Sequence, residues 1–203
     1  MSDRWTPLDV EDVDDSPFEQ FRLWFDQASG LMEEREAVAL ATASREGEPS
    51  VRMVLLRHHD GRSFGWYTNY DSRKGSELEA NPRAALLWYC EPLGRQIRIE
   101  GVVEKMSEAE SDAYFSTRPR GSQLGAHASR QSQPLTSRGE LEERVEEFDA
   151  LYRGRDVPRP SFWGGYLLTP TRFEFWQHRG DRLHDRVVYL PDGRRWRRER
   201  QSP

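Results

Sequence analysis

One cysteine, Cys90, stands in 203 residues, which excludes an internal disulfide and a cysteine-based metal cluster and fits a reducing compartment. Apolar residues are also scarce, at 35% of the chain, and no apolar run is long enough to span a bilayer. Residues 1–17 are acidic and lack an apolar stretch, so they read as neither a signal peptide nor a membrane anchor, and the expected location is cytoplasmic. Missing too are a carboxylate pair, a Ser/His/Asp set and ligands at metal spacing. His58 and His59 adjoin, but two ligands are too few for a metal, and they read as surface. A net charge of -5 argues against a general nucleic-acid binder. Arg194, Arg195, Arg197, Arg198 and Arg200 cluster near the end without any RNA-binding motif, and read as a solvated or interface-forming tail.

What the chain does have is aromatic weight: 11% of its residues, with seven Trp. A small aromatic-rich core under much polar surface leaves apolar area for a partner subunit or a flat ring ligand to complete. The length suits one domain, taken as 16–203 behind a flexible acidic arm at 1–15. Ser16-Pro17 opens an amphipathic helix that runs toward Gly30. Strand patterns cover 37–44, 50–58, 64–69, 84–89, 96–106 and 165–168. Caps at Ser72, at Ser107 with Glu110, and at Thr136 or Ser137 predict three further helices, while 118–134 reads as irregular. About six or seven strands joined mostly by tight turns favour an α+β chain, mainly antiparallel β, as a barrel with flanking helices.

The chemistry concentrates at 173–186. Its first half alternates like a half-buried strand. Arg182, His184 and Arg186 then fall two apart, so a regular strand would put them on one face. Three such groups suit a phosphorylated ligand, or a charged edge strand kept from aggregating. Arg52 and Arg57 end an apolar strand and, five apart, point to opposite faces unless a bulge intervenes. Tyr67 and Thr68 lead into Ser72-Arg73-Lys74, where a helix start and two cations could form an anion nest or an ordinary solvated cap. Tyr114 and Arg118 lie one helical turn apart, Ser122 can return toward them after Pro119, and Gln131-Ser132 adds neutral hydrogen-bonding groups.

Taken in order, these motifs resemble the pyridoxine (pyridoxamine) 5'-phosphate oxidase family. They are RMVLLR at 52–57, YTN and SRK within 67–74, RQ at 95–96, YFSTRPRGSQLGA at 114–126, RQS at 130–132, SFWGGY at 161–166, and EFWQ with RLHDR within 174–186. The resemblance implies an FMN-binding split β-barrel and a homodimer with FMN sites at the subunit interface. It also implies oxidation of pyridoxamine and pyridoxine phosphates to pyridoxal phosphate by oxygen. By the same resemblance Arg52, Tyr67, Thr68, Arg73, Lys74, Gln96, Gln131, Ser132, Trp176 and Arg186 bind FMN. Tyr114, Arg118 and Ser122 hold the substrate phosphate, Arg57 belongs to the substrate side, and Arg182 with His184 flanks the reacting side. Arg57 departs from the family's usual Lys, and only Arg4 and Trp5 stand where the family often has a segment that covers the substrate. A non-catalytic flavin- or pyridoxal-phosphate-binding split-barrel protein is the alternative.

Overall fold

The computed structural model describes residues 6–203. Its longest strand, β7 (Trp163–Gln177), sets the shape of the sheet. One edge of β7 lies along β6 (Arg95–Lys105), while the other pairs first with β4 (Phe64–Asn69) and then with β8 (Asp185–Asp192). Two neighbours in succession on one edge divide the sheet. A register shift between Glu100 and Gly101 supplies the bend. Pro170, which lacks an N–H, pairs opposite Gly101 there. Any side chain on Gly101 would collide with the Thr169 carbonyl.

The remaining order is β2 (Pro49–Leu55), β1 (Ala37–Ala43), β5 (Arg83–Cys90), β6, β7, β4 and β3 (His58–His59), with β9 (Arg195–Arg200) beyond β8. Every pairing is antiparallel. Between β2 and β3 the Leu56 N–H donates to the Glu36 carbonyl, whereas the Arg57 N–H donates across to the Gly65 carbonyl in β4. That hand-over curls the two ends of the sheet together. The fold is a split β-barrel. Nine strands result rather than about six or seven: the pattern at 50–58 breaks at Leu56, and the expected hairpin over Pro191-Asp192-Gly193 forms between β8 and β9.

Inside the curl, Leu40, Leu86, Trp88, Ile97, Ile99, Phe173 and Phe175 are buried. Helix α1 (Pro17–Gln27) closes this core with Phe21, Trp24 and Phe25, and Trp24 meets the Phe175 ring edge-on at 5.2 Å. Its Ser16 cap and first-turn proline stand where the sequence puts them. Helices α2 (Arg73–Ala80), α3 (Glu108–Thr117) and α5 (Arg138–Leu151) begin at Ser72, at the Ser107/Glu110 capping box and at Ser137. Helix α4 (Arg120–Ala128) corrects the irregular reading of 118–134. Its Gly, Ser and Gln residues mask a helix whose Leu124 and Ala128, four apart, are buried, and Leu124 shares a second small core with Phe115, Val157 and Trp163. No helix among the described residues is long and apolar enough to cross a membrane.

The segment expected as a flexible arm is anchored from Leu8 on. Leu8 and Val13 are buried, the Leu8 N–H donates to Asp185 at 3.0 Å, and the Tyr189 hydroxyl donates to the Asp14 carbonyl at 2.6 Å. Arg200 pairs with Asp9 at 2.6 Å and Arg198 with Asp15 at 2.7 Å. The acidic run thus meets arginines of β9, two charge clusters that the sequence shows only as separate. Arg4 and Trp5 lie outside the described residues.

Candidate active site

A cavity of about 1070 Å³ opens where β2, the end of β4 and the start of α2 meet the end of α3, α4 and the loop after it. Lys74 reaches it from the first turn of α2, with its side chain only 7% exposed. Its ammonium donates to Gln131 Oε1 at 2.7 Å, Thr68 Oγ1 at 3.1 Å and Ser72 Oγ at 3.2 Å. All three partners are neutral. Burial, then the nearby Arg52 charge, pushes the Lys74 pKa down to about 8. A buried cation beside two arginines, at a helix start, suits an anion.

Arg52 is held by the Leu40 carbonyl at 3.1 Å, Thr42 Oγ1 at 2.5 Å and the Ser50 hydroxyl. Arg57 lines the same cavity. The two arginines therefore line one cavity, and the expected opposition of their faces is lost because the strand breaks at Leu56.

Aromatic rings make another wall. Tyr67 stacks on Tyr114 at 3.8 Å, and Trp163 lies parallel to both. The Arg118 guanidinium sits over the Trp163 ring, 4.6 Å from its centroid. Arg118 Nη1 is buried and has no hydrogen-bond partner among the described residues. Burial lowers the Arg118 pKa. An orphaned guanidinium nitrogen, on a cavity wall shared with Tyr114 and Ser122, suits an oxyanion as well.

The other predicted residues lie outside the cavity lining. Gln96, Trp176 and Arg186 occupy one row across β6, β7 and β8, so their side chains share a sheet face. Glu174, 2% exposed, takes Arg98 at 2.9 Å and Arg186 at 2.7 Å. The expected single face for Arg182, His184 and Arg186 is corrected. Gly180–Arg182 forms a tight turn, with Asp181 and Arg182 at φ 55 and 62, and only Arg186 belongs to a strand. Arg182 is exposed on that turn, and the His184 ring sits 4.5 Å from Trp176. His184 Nδ1 accepts the Arg179 N–H at 3.2 Å, so the neutral ring carries its proton on Nε2. Burial, His178 and Arg182 all lower the His184 pKa.

Residues 25–152 match the family model described as pyridoxamine 5'-phosphate oxidase, and 163–203 match the pyridoxine 5'-phosphate oxidase C-terminal dimerisation region. The chain belongs to this oxidase family. Among curated relatives named pyridoxine/pyridoxamine 5'-phosphate oxidase, that of Bordetella petrii is 58% identical, covering 93% of this chain and 90% of its own. That of Rubrobacter xylanophilus is 55% identical, covering 97% and 91%. The solved structure of PhzG from Burkholderia lata, in complex with tetrahydrophenazine-1-carboxylic acid, has a TM-score of 0.90 at 33% identity, covering 98% of this chain and 99% of that one. An FMN-binding, oxidase-related protein of Nostoc punctiforme shares the fold, with a TM-score of 0.74 at 17% identity, covering 92% and 98%.

Family membership brings a C-terminal dimerisation region and with it a homodimer. The outer sheet face offers apolar area for one. Val51 and Met53 are 69% and 62% exposed, and Tyr89, 49% exposed, pairs across from Gln96. Sequence reasoning passed over Glu77 and Glu174, two buried carboxylates that each bridge a pair of arginines. For Glu77 the signal was its spacing four residues after Arg73 on a capped helix.

Proposed function

We propose that the protein oxidises pyridoxamine 5'-phosphate and pyridoxine 5'-phosphate to pyridoxal 5'-phosphate, with FMN as cofactor and oxygen as electron acceptor. The observation that carries this is one cavity with two groups of phosphate-suited cations. Arg52, Arg73 and Lys74 form one, and Arg118 with its unsatisfied nitrogen belongs to the other. A flavin phosphate and a substrate phosphate need both.

The chemistry FMN supplies when bound is acceptance of a hydride equivalent from the substrate carbon bearing the amine or hydroxyl, with return of the electrons to oxygen. Thr68, Gln131 and Ser132 would accompany the cations on the flavin. Tyr114, Arg118 and Ser122 would hold the substrate phosphate, with Arg57 on the same side. Remote binding energy of this kind orients the reacting carbon and is spent on rate. Gln96, Trp176 and Arg186 would close the flavin site from the partner subunit, whose Arg182 and His184 would flank the substrate. His184 would then donate a hydrogen bond from Nε2, the atom left with the proton by the Arg179 contact. The relatives' names favour an oxidase over a carrier without turnover.

The direct test is anaerobic bleaching. Yellow purified protein should lose its flavin absorbance on addition of pyridoxamine 5'-phosphate and regain it in air. A spectrum unmoved by substrate would sink the catalytic reading.

Two further outcomes follow from individual side chains. With Lys74 poised at about 8 in the free site, a neighbouring phosphate favours its charged form, so FMN binding takes up a proton above that pH. Affinity should hold below pH 8 and fall above it, by up to about tenfold per pH unit. Fluorescence titration of FMN between pH 7 and 9.5 measures this, and a flat profile would remove Lys74 from the phosphate. Arg57→Lys should leave FMN affinity unchanged and shift substrate KM by no more than about tenfold, because charge is kept while the fork is lost. Loss of FMN would mean that Arg57 serves the other ligand.

A further inference from the structure

We infer that Glu77 is a positioning residue for phosphate recognition, fixing Arg52 and Arg73 at the cavity and so setting its preference for phosphorylated flavin over the same ring without phosphate. This rests on the reading above that the FMN phosphate lies with Arg52, Arg73 and Lys74. Glu77 itself stays out of the cavity lining, its side chain 6% exposed. From α2, Oε1 accepts Arg73 Nε at 2.8 Å, while Oε2 accepts the Ser50 hydroxyl at 2.6 Å, Arg52 Nη2 at 3.4 Å and the Thr42 hydroxyl. One carboxylate therefore ties α2 to β1 and β2.

Its partners Ser50, Arg52 and Arg73 all line the cavity, so the tie organises the site's wall and not the barrel core. Arg73 is otherwise loose, with its side chain 60% exposed, and an untethered arginine would lose rotamer freedom on binding. Charge supports the same role. Burial pushes the Glu77 pKa up, but hydrogen bonds from Ser50, Thr42 and Arg73 and the Arg52 charge bring it down to about 2. It is thus an anion at neutral pH, among three cations that would otherwise repel one another before FMN arrives.

The experiment compares Kd for FMN and for riboflavin on flavin-free parent, Glu77→Ala and Glu77→Gln proteins, by fluorescence quenching, with circular dichroism as the folding control. Glu77→Ala should lose at least about tenfold in FMN affinity and less than about twofold in riboflavin affinity. Glu77→Gln should fall between parent and Ala for FMN, since its one carbonyl oxygen can keep the Ser50 and Arg52 contacts but not Arg73 as well. A parallel loss of both flavins would show a packing role alone and overturn the inference, as would unchanged FMN affinity. If Glu77→Ala does not fold, Glu77→Gln decides by the same two criteria. A parent that binds FMN and riboflavin equally would instead remove the phosphate reading, and this inference with it.

Discussion

Arg118→Ala is expected to keep a full complement of FMN and to lose roughly 100-fold or more in kcat/KM for pyridoxamine 5'-phosphate. Two charge-assisted hydrogen bonds to a substrate phosphate, at ~1.5–3 kcal/mol each, set that scale. The geometry suits a paired contact. Arg118 Nη1 is buried without a partner among the described residues, and the guanidinium is held flat by the Trp163 ring, so its fork is ordered before the substrate arrives. Arg118→Lys should recover only part of the loss, because an ammonium keeps the charge but neither stacks nor presents a fork. Steady-state kinetics with FMN held saturating separates this from a cofactor defect. Parental kcat/KM in Arg118→Ala would move the substrate phosphate elsewhere in the cavity.

Much of the cavity lining was legible because helix caps are local. Ser72, Arg73 and Lys74 are read together from a helix start, and the cap and first turn follow from it, whereas the burial of the Lys74 ammonium does not. Tyr114 and Arg118 were legible for the same reason. What failed was extrapolation of a period through a point where the chain turns. Arg182, His184 and Arg186 keep strand spacing in sequence, yet Asp181 and Arg182 adopt left-handed backbone, a conformation that alternation cannot reveal. The same holds at Leu56, where a change of hydrogen-bond partner strand brings Arg57 to the cavity of Arg52. Glu174 and half of the Glu77 tie were hidden for another reason. Arg73 stands one helical turn before Glu77 and could be read, but Arg52 comes to Glu77, and Arg98 to Glu174, from strands remote in sequence.

The division of the predicted residues between a cavity and a separate sheet face leads to the second large effect. Arg118 lines the cavity, and His184 stands beside Trp176, outside that lining. If one site takes its cavity from one chain and its Trp176–His184 face from the partner, then Arg118→Ala and His184→Ala damage different halves of it. Each homodimer has two crippled sites. In a mixed dimer, one site collects both defects and the other collects none. Random reassortment makes half the dimers mixed, and each of these has one intact site out of two. Mixing the two variants through dissociation and reassociation, or by co-expression, should therefore restore about a quarter of parental activity from two nearly inactive proteins. Different affinity tags on the two chains allow the mixed dimer to be isolated, where recovery should approach half. An isolated mixed dimer no more active than its parents would place both residues in a site of one chain, and the shared-site reading would fail.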